Sequence, residues 1–506
     1  MSIPANWTET GIEETLLPFE NGQTLRQGWS PQCERFPAPT ENDWGVLKTT
    51  AIQDGEFQPE HNKKLPAALE PDPLLEVEPG DLLLTCAGPR VRCGVICLVK
   101  QTRRRLMVSG KMYRFRADPR IALSSYLEGF LRSHDTKKCI DAMKTGISDS
   151  GLNLTLARFK TLRVPLPTLA EQHRIVAKIE ELFSELDQGV ENLKQARAQL
   201  AVYRQALLKH AFEGKLTAGW RKAHAAQLET ADQLLARLRP ERDARYQPLT
   251  QEEIVGLPSL PVGWTYVRLG AFIETFDAGK SFSCDERPPR PEEVGVAKVS
   301  AVTWGEYQES ESKTCRDNAK INPTYFIREG DFLLSRANTI DLVGACVIVK
   351  KVTQRIMLSD KTLRLSLRGL APEYFLQFLR SRKGRRQIMD LSTGNQESMR
   401  NIGQDRIRSI VIPVCPVAEA SVVIEILERQ LSEITALEAD IATNLQKAEA
   451  LRQSILKKAF AGQLVPQDPA DEPAATLLAR LRAERAVASA IKPARLRRQK
   501  SAVAIP

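Results

Sequence analysis

Residues 176–212, VAKIEELFSELDQGVENLKQARAQLAVYRQALLKHAF, set the architecture. Ile179, Leu186, Leu193, Leu200 and Leu207 lie seven apart, and Val176, Phe183 and Val190 supply the second seam position. Apolar residues every 3.5 positions, sustained over four or more heptads, specify a coiled coil rather than a helix lying on a globular core. A second run has the same form: Leu427, Ile434, Ile441, Ala448 and Ile455, with Ile424, Leu431 and Leu445 beside them. Each run follows a proline-containing stretch, Val164-Pro165-Leu166-Pro167 or Ile412-Pro413-Val414-Cys415-Pro416, that reads as extended chain. Gly214 and Gly462 read as the helix stops. Roughly 40 residues at about 1.5 Å each give a rod of about 60 Å. The two seams match in length, so the simplest pairing is antiparallel and within one chain. The alternative is that each helix pairs with another protein.

Outward from the seams, the whole chain repeats once. Val77-Glu78-Pro79-Gly80-Asp81 recurs as Ile327-Arg328-Glu329-Gly330-Asp331, a shift of 250. Thr145-Gly146 and Asn153-Leu154 recur as Thr393-Gly394 and Asn401-Ile402, a shift of 248. Leu207 to Phe212 recurs as Ile455 to Phe460, also by 248, and Leu234 to Arg239 as Leu477 to Arg482, by 243. The opening Ile3-Pro4-Ala5-Asn6-Trp7 matches Leu260-Pro261-Val262-Gly263-Trp264. The expected fold is α+β with a pseudo-two-fold internal repeat: two homologous mixed modules and two long helices forming an intramolecular antiparallel coiled coil. The divisions are a first module over 1–165, a helix over 166–214, a linker with a short helix over 215–258, a second module over 259–413, a helix over 414–462 and a C-terminal helix and basic tail over 463–506. Within the modules, Leu82 to Leu84, Val95 to Val99, Phe332 to Leu334 and Val343 to Val349 read as buried strands. Ser124 to Ser133, Pro372 to Arg382 and Ala231 to Arg239 read as short helices.

The 506 residues include 72 Lys plus Arg against 62 Asp plus Glu, with 42% hydrophobic residues, an ordinary globular composition. No apolar run approaches the roughly 18 residues of a membrane span, and Met1 to Thr10 carries no secretory pattern, so a cytoplasmic protein is expected. The nine cysteines are odd in number and irregularly spaced, which fits reduced thiols rather than a disulfide or zinc scaffold. Charge is polarised inside each module. Residues 1–81 hold 5 basic and 15 acidic residues, and 82–117 hold 9 basic and none acidic. Residues 252–331 hold 9 basic and 14 acidic, and 332–408 hold 15 basic and 6 acidic. A basic surface built twice points to two equivalent sites for a polyanion. The bland alternative is that the two halves of each module neutralise each other. The last 27 residues, 480–506, hold eight basic residues and one acidic and read as a disordered tail.

Catalytic motifs fail on inspection. Gly279-Lys280-Ser281 ends like a phosphate-binding loop, but Glu274 stands where that loop needs its first glycine. Asn322-Pro323-Thr324-Tyr325 resembles an adenine-flipping Asn-Pro-Pro-Tyr, yet its counterpart Asp72-Pro73-Leu74-Leu75 has no such chemistry. Asp72 with Glu76 and Glu78 lacks the lysine of a nuclease set. No metal-ligand spacing links the five histidines, and Cys86, Cys93 and Cys97 read as core thiols.

These phrases together resemble the specificity subunit of type I restriction–modification enzymes over nearly the whole chain. They are the two Pro-x-x-Trp openings, the two Gly-Asp strands and Val164-Pro165-Leu166-Pro167-x-x-Ala170-Glu171-Gln172. Lys209-x-Ala211-Phe212-x-Gly214-x-Leu216 and Lys457-Lys458-Ala459-Phe460-x-Gly462-x-Leu464 close the set. Ala418-Glu419-Ala420 departs from the Glu-Gln usual there. The resemblance implies two target-recognition domains, each reading half of a bipartite double-stranded DNA sequence, with the helices setting the gap and docking two methyltransferase subunits. It implies motor-nuclease subunits as further partners, and S-adenosylmethionine, ATP and Mg on those partners rather than on this chain. A DNA-modifying enzyme acting alone and a coiled-coil scaffold without DNA specificity are the competing readings.

Base chemistry then selects candidates. Arg suits guanine and Asn suits adenine in the major groove. Arg90 and Arg92 follow the first Gly-Asp strand, and Arg336 and Asn338 lie in the equivalent turn. Lys48 and Lys298 are repeat partners on expected strands, as Lys111 and Lys361 are in the turns. The loops Lys144 to Ser150 and Asn395-Gln396 to Arg400 precede the strand that enters each helix.

Overall fold

The computed structural model describes residues 3–224, 228–238, 246–397 and 399–501, with side chains through Val487 at the C-terminal end. The chain divides into two compact units, Met1–Leu193 with Thr443–Pro506, and Lys194–Ala442. Each unit holds one module, the start of one long helix and the end of the other.

In the first unit a four-stranded sheet runs Leu25–Gln27, Met112–Phe115, Leu82–Thr85, Ile96–Leu98. Leu82, Leu83 and Leu84 are all fully buried because both faces of that sheet are covered. Leu82 and Leu84 face a core with Tyr126, Phe159 and Ile175, while Leu83 faces one with Val46, Val108 and Met112. A run apolar at every position is what a strand covered on both sides requires. The three-stranded sheet Leu106–Met107, Gly45–Leu47, Asn62–Lys64 lies beyond Leu83. In the second unit the matching four-stranded sheet is Ile273–Ala278, Thr362–Leu367, Phe332–Ser335, Cys346–Ile348. Phe332 and Leu334 face one core there and Leu333 the other. Helices Ser124–Arg132 and Pro372–Arg380 form where amphipathic spacing places them, each followed by a second helix, His134–Met143 or Arg382–Leu391.

Each module is closed by an antiparallel ribbon of its first and last strands. Thr8 pairs with Leu166 and Thr265 with Val414. The proline stretches therefore are strand, and the helices start after them, at Leu169 and Val417. Both helices are 44 residues long, Leu169–Phe212 and Val417–Phe460, about 66 Å at 1.5 Å per residue. They lie against each other in antiparallel sense. In the first unit Arg452 pairs with Asp187 and stacks 4.5 Å from the Phe183 ring centre. In the second, Arg204 pairs with Glu438 at 2.8 Å. Of the seam residues, Leu207, Leu427, Ile434, Ile441 and Ile455 are buried, whereas Ile179, Leu186, Leu193 and Leu200 are half-buried. A two-stranded coil leaves the flanks of its seam open to solvent.

The joint between module and helix is a buried carboxylate. Trp7 Nε1 donates to Glu171 Oε2 at 3.0 Å, and Trp264 Nε1 donates to Glu419 Oε2 at 2.9 Å. Both carboxylates are essentially unexposed. Trp7 and Trp264 sit on the turns whose prolines meet the far helix end. A Cβ at Gly462 would lie 2.3 Å from Pro4 Cγ, and one at Gly214 2.6 Å from Pro261 Cγ. Those glycines also hold φ of +69° and +66°, so both the helix stop and the close approach require glycine. Phe460 packs edge-on to Tyr126 and Phe130, and Phe212 to Tyr374 and Phe378. The Pro-x-x-Trp and Ala-Phe-x-Gly phrases are thus two sides of one contact, made once in each unit.

Two expectations are corrected. The helix Ala231–Leu238, expected in a linker, is a piece of the second module: Ala231 and Leu234 are fully buried with Trp264 and Phe272. Its counterpart begins the helix Ala474–Ser501, whose Ala474, Leu478 and Leu481 are buried with Trp7 in the first unit. The stretch from 480, expected to be a disordered tail, is therefore helical at its start. Arg482 pairs with Glu14 at 2.6 Å and Arg485 with Asp118 at 2.9 Å. The side chains of the remaining basic residues, 492–500, lie outside the described residues.

The two joints differ in charge. Arg221 reaches Glu419 at 2.8 Å, and Thr217 donates to the same oxygen. Glu171 instead accepts from Gln467, and burial holds its carboxyl above the usual range. A raised folded-state value means that the folded protein binds the proton more tightly, so stability falls as pH rises from about 4.5 through that value. Glu171→Gln should therefore change stability by less than about 1 kcal/mol, gaining on wild type as pH rises through that window. Glu419→Gln takes the counterion from the half-buried Arg221 guanidinium and should cost about 1.5–3 kcal/mol. Thermal unfolding of both variants between pH 5 and pH 8 checks the contrast.

Candidate nucleic-acid interface

In each module the candidate segments converge on one end of the four-stranded sheet. In the second, the Arg336 N–H donates to the Lys361 carbonyl at 2.9 Å, and the Ile402 N–H donates to the Arg336 carbonyl at 2.9 Å. Ala337–Asn338 pairs with Met399–Asn401, which pairs with Thr393–Gln396, making a three-stranded tip. The first module builds the same tip: the Cys86 N–H donates to the Lys111 carbonyl, the Leu154 N–H to the Cys86 carbonyl, and Ala87–Gly88 pairs with Leu152–Asn153. Two loops 250 residues apart in sequence are thus equivalent in space, though Arg336 stands where the first module has Cys86. Burial pushes the Cys86 thiol up to about 12, which makes it a packing residue rather than a nucleophile or ligand.

The side chains divide into engaged and free. Arg92 donates to Gln53 and to the carbonyls of Thr49 and Ile52, clamping the turn after Lys48. Arg400 donates to the carbonyls of Ser392 and Gly394, bracing its own hairpin. Arg90 pairs with Asp141 at 2.7 Å and with Asp149 at 3.0 Å, bonds that raise its affinity for its proton. Lys144 donates to Asp141 at 2.6 Å and to the Arg90 carbonyl at 3.0 Å. These four, candidates for DNA contact, are each held by other groups of the protein in this structure. Sequence cannot show this, because a guanidinium that braces a loop looks like one that awaits a base. Lys48 and Lys298 lie one residue past their strands, at the start of the short turns Thr49–Ala51 and Val299–Ala301. Lys298 reaches the Glu286 carbonyl at 3.3 Å. The Asn338 amide oxygen accepts from the Thr339 N–H. Arg336, Lys111, Lys361 and Asn395 make no side-chain hydrogen bond or ion pair among the described residues, and the last three are exposed beside exposed Gln396.

The charge layout is largely internal. Asp81 binds Arg114 at 2.6 Å and Arg116 at 2.5 Å, and Arg116 also pairs with Glu78. Arg364 bridges Asp277 at 3.0 Å and Asp331 at 3.3 Å. Asp81 also accepts from the Glu78 N–H at 2.7 Å, and Asp331 from the Arg328 N–H at 2.9 Å, so the Gly-Asp phrase is a turn cap joined to the neighbouring strand. Asp72 and Asn322 cap the turns Pro73–Leu75 and Pro323–Tyr325 in the same way. Part of the acidic-then-basic pattern is thus neutralised within each module, while Lys111 and Lys361 at the tips make no ion pair among the described residues.

A model of the type I restriction modification DNA specificity domain matches residues 78–195. The EcoEI specificity subunit of Escherichia coli is 36% identical over 195 residues, 38% of this chain and 32% of that one, so the match spans about a third of that relative. The EcoKI specificity subunit of Escherichia coli strain K12 is 26% identical over 393 residues, 74% of this chain and 75% of that one. The chain is similar to type I restriction–modification specificity subunits, in the EcoKI case along three quarters of its length. A solved chain from work on assembly and conformational transition of the type I system shares the fold. Its TM-score is 0.62 at 20% identity, over 92% of this chain and 100% of that one. In this chain the duplicated tip is where Lys111, Arg336, Lys361 and Asn395 stand unengaged among the described residues. No helix among the described residues is long and apolar enough to cross a membrane.

Arg92→Ala should loosen its module at a cost of about 1.5–3 kcal/mol, typical of hydrogen bonds from charged groups, with faster amide exchange at 49–53. Arg336→Ala should leave thermal stability within about 0.5 kcal/mol of wild type. Equal stability losses in the two variants would contradict this division.

Proposed function

We propose that this chain is a specificity subunit, a non-catalytic DNA reader that works in the cytoplasm. Each module binds one half of a bipartite double-stranded sequence through its tip. The single observation behind this reading is that the repeat builds the same tip twice and leaves Lys111, Arg336, Lys361 and Asn395 unengaged there. The two long helices set the spacer between the half-sites and dock two methyltransferase subunits. Motor-nuclease subunits complete the assembly. S-adenosylmethionine, ATP and Mg belong to those partners. A rod of about 66 Å exceeds one duplex turn of about 34–36 Å, so the bases between the half-sites need no contact. Each correct base contact discriminates by about 1–3 kcal/mol. A methyltransferase must also flip its target base out of the stack, and binding on both sides of that base helps hold the duplex while it does so.

Arg336→Ala should weaken cognate binding by about tenfold, in the middle of that range, and leave random-duplex binding nearly unchanged. Titration at fixed salt measures both; an unaltered cognate-to-random ratio removes Arg336 from base recognition. Methyl transfer should require the methyltransferase partner, and activity of the purified chain alone would reverse the non-catalytic assignment.

A further inference from the structure

The two tips are built alike and finished differently. In the first, most of the polar groups of the two loops pair with one another at the surface, Lys111 apart. The Arg90 N–H donates to the Asp149 carbonyl at 2.8 Å, its guanidinium holds Asp141 and Asp149, Lys144 holds Asp141, and Ser148 bonds Ser150 at 2.9 Å. These bonds lock the turn 89–92 to the loop 144–151 and fix two aliphatic side chains outward. Ile147 is 107% exposed and Val91 81% exposed. The second tip has Asn395 at the Ile147 position, beside exposed Gln396. An unsupported isoleucine on a floppy loop would carry no meaning. Here six named groups and a cross-loop backbone bond hold the loop that presents it, next to a turn that presents a valine.

We infer that Ile147, with Val91 on the adjoining turn, is an apolar specificity contact of the first module, and that its target is the C5-methyl of a thymine in the major groove. That methyl is the apolar feature distinguishing one base edge from the others there, and aliphatic side chains read it. The ion pairs between the loop and the turn serve this role. They hold the aliphatic tip against the duplex, and they withdraw Arg90 and Lys144 from guanine, so the first module discriminates by methyl contact where the second has amides and a free guanidinium. The inference rests on the proposed reading of DNA by the tips.

The test is a chemical double-mutant cycle on the full chain in complex with its methyltransferase partner. The cognate duplex is first defined by mapping methylated adenines, and each thymine is then replaced in turn by deoxyuridine, which lacks only the methyl. Wild type should lose about fourfold in affinity at one thymine or two adjacent ones in a single half-site, the ~0.8 kcal/mol of a buried carbon group. Ile147→Ala should show that loss already on the thymine duplex and none further with deoxyuridine. Val255→Ala, exposed on the short helix Gln251–Val255 outside both tips, should keep the wild-type response. Ile147 is fully exposed, so its variant has no packing to lose. Additive losses, no thymine effect, or a 2-aminopurine signal of base unstacking without methyl coupling each overturn the inference while leaving DNA reading intact. Loss of cognate preference in wild type itself overturns both.

Discussion

The bond from an indole N–H to a buried carboxylate, Trp7 to Glu171 and Trp264 to Glu419, fixes where each helix leaves its module. A carboxylate out of water is tolerated only when its oxygens are filled. Each is filled from both sides of the joint: by the opening Trp of the module, and by a residue that follows the far helix, Gln467 or Thr217 with Arg221. Removing the Trp or the donor that follows the far helix leaves a buried carboxylate oxygen short of a hydrogen bond, so the module opening and both helix ends are held together.

The repeat serves as an internal comparison. What both copies retain is the machinery of the joint: Pro-x-x-Trp, the glutamate at the helix start, Ala-Phe-x-Gly at the helix end, and the capped Gly-Asp turn. What they do not retain is the tip, where Cys86 faces Arg336 in register and Ile147 faces Asn395. The departure Ala420 falls between these classes. Gln172 bonds the Leu123 N–H and the Ile121 carbonyl, tying the helix start to the loop before Ser124. Alanine gives that tie up in the second copy, where Tyr374 to the Pro413 carbonyl, also present in the first as Tyr126 to Pro165, still holds the loop.

The frame was legible in sequence because burial dictates period. The heptads of the two helices and the unbroken Leu82 to Leu84 run each admit one structural answer. Both were read without knowing any partner. What escaped was long-range and specific. Nothing in Ala231 to Leu238 marks it as covering the second module rather than bridging two domains, since a short amphipathic helix carries no address. Nor does residue type separate Arg92, which clamps a turn, from Arg336, which clamps nothing. The one available signal for the joint was the matched spacing, Glu171 and Glu419 lying 248 apart like the flanking Leu207 and Ile455. The charge layout is legible in sequence only in part, because opposite charges segregated in sequence are brought together by strand pairing, as Asp81 with Arg114 shows.

Stiffness at the joint and freedom at the tip follow from one geometric requirement. A hinge error of about 5° at the end of a ~66 Å rod displaces its far end by about 6 Å, more than the 3.4 Å rise of one base pair. An exit angle left to a flexible link would not hold a helix end to within one base step. The angle here is held by a buried carboxylate, an aromatic cluster and a glycine against proline, all at the module end of the helix. None of these residues lies at the tip, so the side chains of the tip can change without altering the joint, and the two copies differ there as that independence allows.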